Sequence, residues 1–157
     1  MSLKHTFKAQ VNWEINEGES TGNPRTFSRN HNVTIANKVS GLTVSAAKSF
    51  RGDETLYNPE DLLLSALASC HMMSYLYVCS QHNIEVLSYS DDAEGDLEVI
   101  ASGSGSFKFV RLNPVVTIKD ANQKALALSL HTKANALCFI ANSCNFPISH
   151  EATIVVK

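Results

Sequence analysis

Residues 4 to 14, KHTFKAQVNWE, place Phe7, Ala9, Val11 and Trp13 at every second position, the alternation of a strand with one covered face. The turn-rich GESTGNP follows, and residues 26 to 36 alternate again, which predicts a hairpin; Phe27 is read on the face opposite Arg29 and His31. Residues 41 to 46, GLTVSA, give a short third strand, and 47 to 57, with Gly52-Asp53 and no apolar period, an exposed loop. At Asn58-Pro59-Glu60-Asp61 the period changes. Asn is a strong N-cap, Pro suits the first helical position, and two carboxylates suit the positive end of the helix dipole. A long helix therefore starts here, apolar on nearly all sides through LLLSALASCHMMSYLYVC, with Asn83 as its end. Strand-like segments 84–91 and 96–101 flank Asp91-Asp92-Ala93-Glu94-Gly95, and 105–118 forms a further strand interrupted by Pro114. A second helix begins near Asp120, with a stripe through Ala125, Leu126, Leu130, Ala134, Leu137 and Cys138, and 151–157 is a last strand.

The order β-β-β-α-β-β-α-β predicts an α+β fold over a single domain, residues 1–157: a mainly antiparallel sheet with a long buried central helix. A helix apolar all round needs cover on every side, which one small sheet and one other helix do not supply, so a homodimer with this helix near its interface is expected. The order is not βαβαβ, and GxGxxG, GxxxxGK[ST], HExxH and GxSxG are absent, which removes nucleotide-binding, metalloprotease and serine-hydrolase chemistry. The 157 residues are 44% hydrophobic and 18% charged, and a chain of this size can bury roughly two thirds of its unfolded surface without disulfides or structural metal. The net charge is −2 and the 13 basic residues are scattered, so neither nucleic acid nor an anionic membrane surface is an expected partner. No apolar run is read as approaching the ~20 residues of a membrane span, and the opening residues lack a signal-peptide core, so a cytoplasmic location is expected.

The four cysteines, Cys70, Cys79, Cys138 and Cys144, form no CxxC pair, and their spacings of 9, 59 and 6 fit no zinc site. A free thiol is by default a buried structural group. Cys70 lies within the apolar helix, where reactivity would require a cation beside the sulfur. His71 points about 100° away around the helix and reads as a packing or interface residue. Glu60 lies ten residues earlier, about 15 Å along a straight helix, so it could act on a Cys70 only across a dimer interface.

The run Asn58-Pro59-Glu60-Asp61-Leu62-Leu63, with Ala66, Ala68 and Cys70, resembles the signature of the OsmC/Ohr superfamily, the osmotically inducible and organic hydroperoxide resistance proteins. Val11-x-Trp13-Glu14, Lys133-Ala134-x-x-x-Cys138 and the element order extend the resemblance over the whole chain. It implies an OsmC-like fold, an intertwined homodimer, and a thiol-dependent peroxidase that reduces hydroperoxides, organic ones in particular, in oxidative stress defence. On this resemblance Cys70 is the peroxidatic cysteine, Cys138 the resolving one and Glu60 the activating carboxylate. The family arginine falls on Arg29 or Arg25, with Arg29 favoured by its offset of 12 residues from Gly41. No metal, flavin, haem or nicotinamide is implied, and an external dithiol reduces the disulfide. The chain departs from the family in having Cys138-Phe139 where Cys-Pro is usual, which leaves Cys144 as a competing resolving cysteine. Cys79, nine residues past Cys70 and about 13 Å along the helix, reads as core. Cys70-His71-Met72-Met73 and Arg29-x-His31 resemble a divergent branch; His31 either lines the same pocket as Arg29 or is a solvated strand histidine. Two other readings stand beside the peroxidase: a non-catalytic binding protein for a small hydrophobic ligand, and a hydrolase with Cys70 as acyl acceptor and His71 or His31 as base.

Overall fold

The computed structural model describes residues 3–157. These fall into two compact units, Met1–Leu62 and Leu63–Lys157.

In the first unit β1 (Gln10–Asn12), β2 (His31–Thr34) and β3 (Leu42–Val44) pair antiparallel in the order β1-β2-β3. β1 and β2 are much shorter than their alternating patterns. Alternation records a face that something covers, and here Phe7 is 92% exposed, with Val11 and Ile15 also open; without a surface to pack on, the ladder stops after three or four residues. The predicted loop holds a turn of 3-10 helix at Lys48–Phe50 and then turns sharply at Arg51, whose φ is 65°. A Cβ on the next residue, Gly52, would lie 1.6 Å from the Ala46 carbonyl oxygen, so only glycine fits.

The long helix α1 (Pro59–Gln81) starts as its sequence predicts. Asn58 Oδ1 accepts from the Asp61 N–H at 2.8 Å, and Asp61 Oδ2 accepts from the Asn58 N–H at 3.2 Å, a reciprocal cap of two otherwise unpaired donors. Asn58→Ala should therefore cost about 1 kcal/mol, read as a lower urea midpoint at unchanged slope. The end is also as read: Asn83 has φ 54°, its N–H meets the Ser80 carbonyl, and the Ile84 N–H meets that of Cys79 at 3.0 Å, the left-handed closure common to helix C-termini.

The second unit carries β4 (Val86–Asp91), β5 (Glu94–Val99), β6 (Gly105–Leu112), β7 (Pro114–Ile118), α2 (Lys124–Leu137), β8 (Ile148–His150) and β9 (Thr153–Val156). Its strands form two three-stranded sheets, β4-β7-β9 and β5-β6-β8. Four strands thus lie between the helices and two after them, where the segments read from the sequence give three and one and the element order written from them two and one. The single strand 105–118 is broken at Asn113, because Pro114 has no N–H to continue the ladder; Asn113 instead donates its N–H to Asp91 Oδ1 at 2.7 Å and its side-chain amide to the Asp92 carbonyl at 2.8 Å. β8 is three residues long with no readable period. Pairing across the chain is mainly antiparallel, but β6–β8 and β7–β9 are parallel, the long connection through α2 bringing the last strands back in the same direction.

One side of α1 is buried, through Leu67, His71, Tyr75, Val78 and Cys79. Tyr75, Val78 and Cys79 pack with Val116 and Ile118 of β7, Ala127, Leu130 and Ala134 of α2, and Ile154 of β9, while Leu67 packs with Val110 and Leu112 of β6. By length and composition α1 would suffice to cross a membrane, with mean hydropathy 1.5 over its most apolar stretch, but a core helix has the same composition, and the packing of its buried side makes α1 a core helix, in line with the expectation of no membrane span. The expectation of a helix buried all round holds for one side only in the single chain. Met73 and Tyr77, on the other side, are 60% and 57% exposed.

Candidate active site

Cys70, Met73, Ser74 and Tyr77 follow one another at helical spacing along the open side of α1, and with Leu137 and Phe139 they line an apolar groove of about 300 Å³. Leu137 and Phe139 are the two neighbours of Cys138. α2 stops at Leu137; Cys138 caps it in an extended conformation, its N–H bonding back to the Asn135 carbonyl at 3.2 Å. That cap turns the Cys138 side chain inward, where it is buried, while its two chain neighbours Leu137 and Phe139 share the groove with Cys70. Burial first, and then the neighbouring Cys70 thiol, push the Cys138 thiol up to about 11, so it keeps its proton at neutral pH. The Ala141 N–H also approaches the Cys138 sulfur at 3.4 Å. Two neighbouring free thiols, one partly exposed in a groove and one buried behind it, are placed so that a disulfide needs movement of the Cys138 segment toward Cys70. The other cysteines are placed differently. Cys79 lies in the core, where burial raises its thiol, and Cys144 donates to the Ile140 carbonyl at 3.3 Å and packs on the Leu67 cluster.

In the first unit, Val11, Trp13, Phe27, Arg29 and His31 are among the residues lining a mostly apolar pocket of about 420 Å³. Phe27 shares this pocket with Arg29 and His31, which corrects the reading that set it on the opposite face: residues two apart in an extended chain point the same way. The Arg29 guanidinium lies 4.4 Å from the Phe27 ring centroid and donates to the carbonyls of Phe27 and Pro24 at 2.7 and 2.6 Å. His31 Nδ1 is 2.8 Å from the Arg29 carbonyl oxygen. Arg25 does not line the pocket; its backbone N–H is held by Asn23 Oδ1 at 3.0 Å. Arg29 and Glu60 form no ion pair in the single chain, and Glu60 Oε2 is buried with no hydrogen-bond partner among the described residues.

Residues 52–153 match the family described as OsmC-like protein. The chain belongs to this family. The OsmC-like match takes in α1, α2, Cys70 of the groove and Cys138 behind it. The Bacillus subtilis (strain 168) protein YmaD is 27% identical over 155 residues, 96% of this chain and 95% of that protein. An OsmC-like protein of unknown function from Vibrio cholerae is 28% identical with a TM-score of 0.84, covering 96% of this chain and 100% of the other. An organic hydroperoxide resistance protein from Elizabethkingia anophelis, 19% identical with a TM-score of 0.69 over 100% of both chains, shares the fold.

One feature of this OsmC-like chain was not legible in its sequence beyond the placing of His71 as a packing residue. His71 and His131 are fully buried, with His71 Nε2 3.0 Å from His131 Nδ1 and the two rings stacked at 5.3 Å. Tyr75, one turn past His71, stacks on His131 at 3.9 Å, and His150 lies 5.5 Å from the ring of His71. Burial, reinforced by the neighbouring His150, pulls His71 down to about 4; burial and the other two histidines pull His131 down to about 3. Both are neutral at pH 7. No group of His, Cys, Asp and Glu among the described residues is arranged to hold a metal ion. Positions 71, 131 and 150 have no common spacing, so only their placement on α1, α2 and β8 reveals the cluster.

Proposed function

We propose that this OsmC-like protein is a thiol-dependent peroxidase for organic hydroperoxides, working as a homodimer in the reducing cytoplasm. The observation that carries the reading is the placing of Cys70 in a groove walled by Leu137 and Phe139, the two neighbours of the buried Cys138. The Cys70 thiolate attacks the distal oxygen of the hydroperoxide; the O–O bond breaks, the alkoxide takes a proton and leaves as alcohol, and Cys70 becomes a sulfenic acid. The Cys138 sulfur then displaces the sulfenic hydroxyl, and the proton held by the Cys138 thiol leaves with it as water, which matches a resolving thiol that stays protonated until needed. An external dithiol returns the pair to two thiols. The apolar lining of the groove suits the organic part of the substrate.

The test is a titration with cumene hydroperoxide, followed by mass spectrometry of the thiols. One equivalent per chain should yield a Cys70–Cys138 disulfide. An untouched Cys70 leaves the non-catalytic binding protein as the reading.

In the homodimer, Arg29 and Glu60 of one chain serve Cys70 of the other, which supplies the cation the thiolate needs and gives the unpartnered Glu60 oxygen a role. Mixing inactive Cys70→Ser chains with inactive Arg29→Ala/Glu60→Ala chains, with subunit exchange, should restore about one working site per heterodimer. Proven heterodimers without activity would place thiol and activating pair on one chain.

A further inference from the structure

Two hydrogen bonds join α1 to α2, and they run antiparallel. The Tyr75 hydroxyl donates to the Ala127 carbonyl at 3.1 Å, and His71 meets His131 at 3.0 Å. Stepping back one turn along α1, from Tyr75 to His71, advances one turn along α2, from Ala127 to His131. Farther along the same direction, Cys70 precedes His71 on α1 and shares its groove with Leu137 and Phe139, the neighbours of Cys138 at the end of α2.

The histidine contact is costly in itself. Each neutral imidazole has one N–H and one bare nitrogen, so the shared bond leaves an N–H unpartnered at one end; His71 Nδ1 and His131 Nε2 are both buried without a partner. Leucine or phenylalanine would fill this space with no such penalty. A hydrogen bond, unlike apolar packing, has one length and one direction, and so selects one register between two helices that could otherwise slide.

We propose that the His71–His131 hydrogen bond fixes the register of α1 against α2 that holds Cys138 near Cys70, and so controls closure of the disulfide but not oxidation of Cys70. The proposal rests on the peroxidase reading for its place in turnover. The two histidines are positioning residues, touching neither sulfur nor substrate. The step they control is Cys70 sulfenic acid plus Cys138 thiol giving disulfide and water.

The test compares native protein with His131→Phe, which keeps the ring stacked on Tyr75 and removes the hydrogen bond, and with His131→Asn, whose amide places a polar atom near the lost Nδ1. Stopped-flow oxidation of Cys70 by cumene hydroperoxide should be unchanged in all three. Disulfide closure should slow about tenfold or more in His131→Phe, the scale set by misplacing reacting atoms, with sulfenic acid trapped by dimedone and sulfinic acid accumulating; His131→Asn should recover most of the rate. A parallel arm equilibrates each protein in glutathione redox buffer without peroxide, where His131→Phe should need about tenfold more oxidising buffer to reach half disulfide. If His131→Phe does not fold, His71→Phe and His71→Gln, whose longer amide reaches the position of the lost Nε2, repeat the comparison. Native closure rate and native glutathione balance in the Phe variant overturn the proposal, as does equal slowing of oxidation and closure. A native Cys70 inert to peroxide ends the peroxidase reading, and the glutathione arm still decides the register.

Discussion

Cys70→Ser should abolish hydroperoxide consumption. The reaction needs an ionised sulfur, and a serine hydroxyl in the same groove has neither the acidity nor the polarisable lone pair to attack an O–O bond, so a loss of about a thousandfold or more is expected. Cys138→Ser should behave differently: its groove and Cys70 remain, so one equivalent of peroxide is consumed per chain, after which the sulfenic acid has no thiol to condense with and advances to sulfinic acid under excess peroxide. Cys144→Ser should leave both phases intact, since Cys144 is tied to the Ile140 carbonyl. Following residual peroxide colorimetrically while trapping Cys70 with dimedone checks all three. Turnover by Cys70→Ser at the native rate ends the peroxidase reading, and a block of disulfide formation by Cys144→Ser alone moves the resolving role to that residue.

The second large effect is a loss of folding stability in mild acid. His71 at about 4 and His131 at about 3 both lie below the ordinary 6.5. The unfolded chain therefore binds more protons than the folded one between these values, and stability falls as pH drops from 6.5 toward 4. At 1.36 kcal/mol per unit, each histidine gives up about 3 kcal/mol by pH 4, a large part of the 5–15 kcal/mol typical of a domain. The carboxyl of Asp91, pushed up by burial, works in the opposite sense near its own range. Glu19 and Asp53, held down by hydrogen bonds from Asn16 and Thr55, add to the loss only in the carboxylate range. Urea midpoints measured from pH 7.5 to 4.5 should fall steeply below 6.5, and His131→Phe should flatten the profile. A native midpoint constant across that interval would mean that the cluster protonates as readily as free histidine.

The first turn of α1 was legible because everything that makes it is within four residues: Asn58 as cap, Pro59 at the first position, Asp61 returning the hydrogen bond. Asn83 was legible for the same reason, being able to take the left-handed conformation that closes the helix. The residues of the groove were legible only through resemblance. Nothing in the spacing of Cys70 and Cys138, 68 residues apart, says that they meet. The alternation of 4–14 and 26–36 was read as long strands because a pattern of apolar residues records that a face is covered, without saying by what.

By itself, then, the sequence determined the local events: where helices begin and end, which segments extend, and that one helix is apolar on more sides than its own chain buries. Only the tertiary structure decided what those segments do to one another. It broke 105–118 at Asn113 and set β8 and β9 parallel to β6 and β7. It also stacked His71, His131 and His150 together, and laid α2 against α1 so that its end, with Cys138, lies beside the groove of Cys70. The physical reason is range: caps and turns are made by hydrogen bonds among near neighbours in the chain, whereas register between elements is chosen by burial and by directional contacts between residues that the sequence keeps far apart.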